Sequence, residues 1–303
     1  MKMGLYLGKD KISALRTIEK KTQSMKAYLE AGGKCGHSSA TTFEGCWQAN
    51  DWENVTDCSD MFYECGKLAS IPPMSTSNVT NMNNMFYFCR KLTSIPNMDT
   101  SKVTDMYQMF YHCDSITSIP MLDTSNVTNM NSMFGYCGKL ASIPALDTSK
   151  VTDMGYMFIG YNELTSIPNM NTSNVTKMNN MFYNCAGITT VPLMDTSKVT
   201  DMHYMFTGCS RLASVPAMDV SKVTEIYGMF DYCSNIETIH MHGMKASFNI
   251  SASTKFTREA LVEILNNLAT VTTSPTLTMG SRNLAKLTDA DKAIATGKGW
   301  TLK

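Results

Sequence analysis

The chain has 303 residues, 43% of them hydrophobic, with 26 basic and 26 acidic side chains. This composition excludes a disordered polymer, and no apolar run is long enough for a membrane-spanning helix. The charge is unevenly spread: residues 1–42 hold 8 Lys/Arg against 3 Asp/Glu, residues 43–242 hold 10 against 19, and residues 243–303 hold 8 against 4. An acidic middle repels phosphate, which excludes nucleic acid as its partner.

In residues 1–42, Leu5-Tyr6-Leu7 and Ile12 flank Gly8-Lys9-Asp10-Lys11, which reads as a small hairpin. Ser13 to Ala31 reads as a helix closed by Gly32-Gly33. No 7–15-residue apolar stretch occurs here, so no secretory signal peptide is expected. This basic module is a candidate anchor. Cys35, His37 and Cys46 lie close together, but three ligands at irregular spacing do not make a zinc motif. Phe43, Trp47 and Trp52 then precede a degenerate coil, in which Val55 and Cys58 take the positions of Val79 and Met82.

From Met61 the dipeptide Met-Phe recurs with a constant 24-residue period, at Met61, Met85, Met109, Met133, Met157, Met181, Met205 and Met229. A fixed period of this size is the mark of a solenoid. In residues 82–105, Met82, Met85, Phe86 and Cys89 sit at i, i+3, i+4 and i+7, which predicts a short helix. Thr80 is its expected N-cap, with Asn83 completing an imperfect capping box. Leu92-x-x-Ile95-Pro96 predicts a short strand, and Asp99-Thr100-Ser101 a turn. Val103 then returns an apolar residue to the core. Short parallel strands are expected to line one face.

The pattern Met-Phe-x-x-Cys-x-x-Leu-x-x-Ile-Pro-x-Met-Asp-Thr-Ser-x-Val-Thr-x-Met resembles the BspA-type leucine-rich repeat family, over roughly residues 43–242. The resemblance implies an α/β leucine-rich-repeat solenoid used for adhesion or recognition. About eight coils are expected, with parallel strands on one face, short helices on the other, and caps at both ends.

In residues 243–303 and just before them the pattern fades: His240 and His242 mark the decay of the repeat. Thr257 caps a predicted helix to about Leu268, and Thr276–Met279 reads as a strand. Thr288 with Asp291 forms a capping box for a helix ending near Gly297. The stretch Asn283–Ala295 with Gly299-Trp300-Thr301-Leu302 resembles terminal caps of such repeats encoded by phages and prophages. The opening Leu5–Ser13 is similar to short strand modules of phage tail-associated proteins.

Seven cysteines form a column: Cys65, Cys89, Cys113, Cys137, Cys185, Cys209 and Cys233, broken by Tyr161. One cysteine per coil offers no metal clip, and packing is the expected role. The column Asp99, Asp123, Asp147, Asp195 and Asp219 offers calcium a row of oxygens, yet each opens a turn. Asn171 serves that turn equally well, so neither metal nor cofactor is assigned. The motif TSN alternates with TSK from one coil to the next, as recent duplication of coil pairs would produce. No nucleophile elbow, phosphate loop or His-Glu zinc motif is present, so no catalytic residue is named.

Tyrosines flank Met-Phe at positions that vary between copies: Tyr63, Tyr87, Tyr107, Tyr111, Tyr136, Tyr156, Tyr161, Tyr183, Tyr204, Tyr227 and Tyr232. Variable tyrosine beside Asn, Ser and Gly is the chemistry of adaptable recognition. Packing between neighbouring coils is the alternative. All but Tyr161 form the candidate binding face. The expected partner is a protein or glycan receptor on a bacterial surface. Residues 1–42 would hold a virion or surface scaffold, and self-association is a further expected contact. The expected place is extracellular, on a phage virion before a cell surface, with a structural spacer as the remaining reading.

Overall fold

The computed structural model describes residues 55–303; the hairpin, helix, tryptophan and zinc readings of residues 1–54 lie outside them. The chain divides into two compact units, Met1–Asp147 and Thr148–Lys303. Each contains a stack of coils, because the constant period brings like residues into columns.

In the first unit Phe62, Phe86, Phe110 and Phe134 are buried, with successive ring centroids 5.4, 5.5 and 5.9 Å apart. Valine 55, 79, 103 and 127 and methionine 61, 85, 109 and 133 fill the space around them. The second unit repeats this with Phe158, Phe182, Phe206 and Phe230 at 5.7, 5.6 and 6.0 Å. A phenyl column of this kind buries large apolar area and adds offset stacking.

The helix expected at Met82–Cys89 does not form. Met82–Met85 and Phe86–Cys89 are two consecutive β-turns, closed by Met85 N–H to Met82 O (3.2 Å) and Cys89 N–H to Phe86 O (3.0 Å). Their third residues, Asn84 (φ 51°) and Phe88 (φ 58°), are left-handed and so incompatible with a helix. The freed amides of Met82, Asn84, Phe86 and Phe88 donate instead to Asp105, Tyr107, Met109 and Tyr111 of the next coil, at 2.8–3.0 Å. A two-turn helix is unstable alone, and stacking satisfies the same donors. Two turns also bury positions 82, 85, 86 and 89, so the i, i+3, i+4, i+7 spacing is common to both conformations. Thr80 caps nothing: its amide and hydroxyl both donate to Thr56 O, and Asn83 N–H bonds Asn81 Oδ1.

Strands are sparser than expected. Among the described residues the repeat forms one strand pair, β1 (Ser214–Asp219) parallel to β2 (Thr238–His242). Elsewhere the same segments are held by single bonds such as Thr93 N–H to Ala69 O and Thr117 N–H to Thr93 O. The prolines explain it. Pro72, Pro96 and Pro120 share one column and remove a donor from each ladder. In β2 the proline position is His240, and pairing extends there, with a register shift opposite Pro216.

The turn at Asp-Thr-Ser is as expected. Asp99 Oδ1 accepts from Ser101 N–H (3.0 Å) and from its hydroxyl (2.6 Å). The buried threonine between them reaches forward: Thr76, Thr100 and Thr124 donate to Asp99, Asp123 and Asp147 carbonyls at 2.8–2.9 Å. The TSN/TSK alternation has a structural sense as well. Lys102 Nζ donates to Asn78 Oδ1 (2.6 Å), and Lys198 to Asn174 (2.7 Å), so a TSK coil docks on a TSN coil.

The C-terminal segment follows its signals. Strand β3 (Phe248–Asn249) pairs with β4 (Thr276–Thr278), which pairs with β5 (Thr301–Leu302). Helix α1 (Arg258–Asn267) starts at Thr257, whose side chain accepts from Ala260 N–H. Helix α2 (Ser281–Leu284) is short, and α3 (Asp289–Gly297) carries the Thr288/Asp291 capping box. Arg258 clamps Asp291 through two bonds of 2.7 and 2.8 Å, holding that carboxyl down at about 2. Trp300 is buried and donates to Ala269 O.

The phenyl column is the main apolar element of each unit. Phe110→Ala opens a void between two stacked rings and is expected to lower stability by about 3–5 kcal/mol. Chemical denaturation checks this; a loss below about 1 kcal/mol would mean the column packs loosely.

Candidate functional surface

The two middle residues of each turn are in general the less buried ones, although Ser132, Ile159, Asn179, Asn180 and Thr207 are buried, while the residues around them point inward. Positions 59, 60, 63 and 64 and their equivalents in later coils are thus four variable columns on an invariant frame. Every predicted tyrosine except Tyr161 lies in these columns. Tyr161 stands in the cysteine column instead and is wholly buried, 6.5 Å from Phe158, so it belongs to the core and not to the surface.

On the first unit the rings form a ribbon. Tyr63 stacks on Tyr87 at 4.7 Å, Tyr87 on Tyr111 at 5.4 Å, and Tyr111 meets Tyr136 edge-on at 5.4 Å. Phe88 and His112 lie alongside. His112 is 4.3 Å from both Phe88 and Tyr136, and its Nδ1 is 3.1 Å from Asp114. The Arg90 guanidinium sits 4.8 Å over the Phe88 ring. Tyr107 is half-buried, its amide held by Asp105 Oδ1.

On the second unit the rings diverge around an open pocket of about 540 Å³. Tyr156, Tyr183, Tyr204 and Tyr232 supply aromatic wall, and Ile159 supplies an aliphatic patch. Asn180, His203, Thr207 and Asp231 supply polar groups. His203 Nδ1 bonds Asp201 Oδ1 at 2.6 Å, and its ring stacks on Tyr227 at 4.9 Å. The Tyr204 ring lies across Gly228, where an added Cβ would collide with it, so that glycine makes room for the ring. Tyr232 is 79% exposed and Tyr227 50%.

Phe88, His112 and His203, and the buried Asn180 that lines the pocket, are site members that the tyrosine pattern alone does not name. Their signal is columnar. Phe88 and His112 share a column with Tyr136 and Tyr232, Asn180 with Tyr156 and Tyr204, and His203 with Tyr107 and Tyr227.

The other candidate sites resolve into structure. Asp123 Oδ1, like that of Asp99, accepts from its Ser, which lowers its carboxyl, and Asn171 makes the same two bonds to Ser173. Among the described residues no group of three or more His, Cys, Asp or Glu is placed to hold a metal. The column cysteines are free thiols that donate to phenylalanine carbonyls of the preceding coil: Cys89 to Phe62 (3.1 Å), Cys113 to Phe86 (3.2 Å), Cys209 to Phe182 (3.1 Å). Burial pushes Cys89, Cys113 and Cys209 well above the ordinary thiol value, and Cys185 and Cys233 up to about 12.

Three segments, residues 37–141, 115–193 and 189–259, match the family described as "Mycoplasma protein of unknown function, DUF285". The chain belongs to that family. No curated protein matches this DUF285 member. Among solved structures it is similar to the crystal structure of the T. pallidum leucine rich repeat protein, TpLRR. Identity is 24% and TM-score 0.41, over 52% of this chain and 72% of that one. Family and repeat architecture together suit protein binding. No helix among the described residues is long and apolar enough to cross a membrane.

Neutral thiols are favoured by the fold, since their folded pKa lies above the unfolded one. That stability is complete below about pH 9 and is lost as pH rises toward about 12. Denaturation midpoints should therefore fall across this window. Mass-spectrometric mapping should find Cys89, Cys113 and Cys209 unalkylated at about pH 8 unless the chain is unfolded; rapid native labelling would contradict their burial.

Proposed function

We propose that this chain is a non-enzymatic recognition protein, binding a protein or glycan at a bacterial surface through its four variable columns. The observation that carries this is the aromatic ribbon on the first unit. Tyr63, Tyr87 and Tyr111 hold one column in stacked rings, half-exposed, directly outside an invariant core. Rigid rings pre-ordered by stacking lose little freedom on binding. The polar edges of tyrosine add hydrogen bonding.

The place of work we propose is extracellular, on a virion or a bacterial surface, with residues 1–42 as the attachment end. Support for the virion comes from the sequence resemblance of Asn283–Leu302 and Leu5–Ser13 to phage-encoded segments. A bacterial surface adhesin is the second reading, and the BspA-type repeat favours it.

Sedimentation of the full chain with intact bacteria tests the reading. The parent should co-sediment, and a Tyr87→Ser, Tyr111→Ser variant that still melts cooperatively should bind about tenfold more weakly or worse. Equal binding by the variant would move the site off the ribbon. A parent that binds no bacterium would leave the array as a scaffold.

A further inference from the structure

Three tyrosines of the pocket on the second unit stand at turn positions that are left-handed in every described coil, as Asn84 and Phe88 are. Tyr156 (φ 57°), Tyr204 (φ 54°) and Tyr232 (φ 60°) are all left-handed. Glycine adopts that conformation freely, whereas a side chain with a Cβ is strained in it. The same two columns carry Gly160, Gly208 and Gly228 in neighbouring coils, also at positive φ. The fold therefore accepts glycine at these positions. Tyr232 stands out for its exposure: its ring is 79% exposed, so it is available to a ligand and glycine could replace it with little loss of packing.

The lining states what kind of ligand fits. No lysine or arginine contributes, while Asp231 does, and Asp201 stands behind His203. An anionic ligand meets no countercharge. Tyrosine faces offer flat apolar area, as the C–H face of a sugar ring requires, and Asp231, His203 and the tyrosine hydroxyls ring it with polar atoms. Asn180 adds a specific demand. It is 5% exposed, and its amide nitrogen has no hydrogen-bond partner among the described residues. A buried donor left unmade costs free energy, and a ligand carbonyl would recover it. Ile159, also in the lining, suits a methyl group.

We propose that this pocket is a subsite for an N-acetylated hexosamine. The ring face lies on tyrosine, the acetamido carbonyl accepts from Asn180, and the acetamido methyl meets Ile159. The assignment rests on the recognition reading above and names its ligand class.

The test is calorimetric titration of the full chain with chitotriose. Cellotriose is the control, since it has the same linkage and lacks the acetamido groups. Chitotriose should bind saturably and cellotriose at least about tenfold more weakly, because a site built around a buried donor rejects the analogue that leaves it unpaired. Tyr232→Gly should keep or raise the melting temperature and weaken chitotriose by about tenfold or more, an outcome a packing role would not give. Asn180→Asp should lose the preference for chitotriose over cellotriose. Failure of chitotriose to bind, equal affinity for both sugars, or full affinity in Tyr232→Gly would each overturn the proposal. Saturation by choline chloride in place of chitotriose would also do so, making the pocket an aromatic cage for a cation. If chitotriose fails while the parent still sediments with bacteria, this subsite alone falls. If chitotriose binds but bacteria do not, the subsite stands and the bacterial-surface reading falls.

Discussion

Backbone hydrogen bonding between successive coils is the constraint on which the other features depend. Met82, Asn84, Phe86 and Phe88 each donate to the following coil, and Thr104 donates back to Thr80. These donors find acceptors only if the period never slips, because a single inserted residue would shift every later column. The near-invariance of the Met, Phe, Cys, Leu, Ile and Val columns follows from that register: each side chain must match its copies above and below. So do the secondary devices. The cysteine thiol takes the phenylalanine carbonyl of the coil before it, and the buried threonine takes the aspartate carbonyl of the coil after it. Both leave few buried backbone acceptors unpaired, as a stack without continuous strands requires.

This explains what the sequence made legible. Column identity needs only the period, so the core, the Asp-Thr-Ser turn and the packing role of the cysteines could be read directly. The starts of α1 and α3 were also legible, since Thr257 and Thr288 act through local hydrogen bonds. The conformation of residues 82–89 was not. Helix and paired turns bury the same positions, and the choice between them lies in amides whose acceptors belong to the next coil. Asparagine at position 84 hinted at a left-handed residue, but Phe88 in the equivalent place of the second turn argued the other way. The strand expectation erred similarly: a proline in every coil reads as extended chain, yet stacked prolines cannot donate to one another.

The candidate surface was half legible. Variation between copies picked out the outward tyrosines, and Tyr161 was set apart by its place in the cysteine column, where the structure buries it. Phe88, His112 and His203 do not belong to the tyrosine pattern and are not legible from it. Aligned by column they stand in line with the tyrosines, and ring contacts at 4.3–4.9 Å join them to the same aromatic surface.

The two units use the same four columns to make different surfaces, and side-chain volume accounts for the difference. In the first unit the column carries Tyr63, Tyr87 and Tyr111 in succession before Gly135, so three large rings stack face to face and close the space between their coils. In the second the equivalent column reads Ile159, Tyr183, Thr207 and Asp231, mixing large and small. A tyrosine flanked by short side chains has no parallel ring to lie on, so it turns edge-on to its neighbours, as Tyr183 does to Tyr204 at 88°. Gly228 lets the Tyr204 ring fold across the backbone, and the volume left open is the pocket. A repeat protein of this design changes its recognition surface without touching its core. Substitutions at the outward turn positions alter which rings can stack, and the intercoil bonds, made by backbone atoms, are indifferent to them.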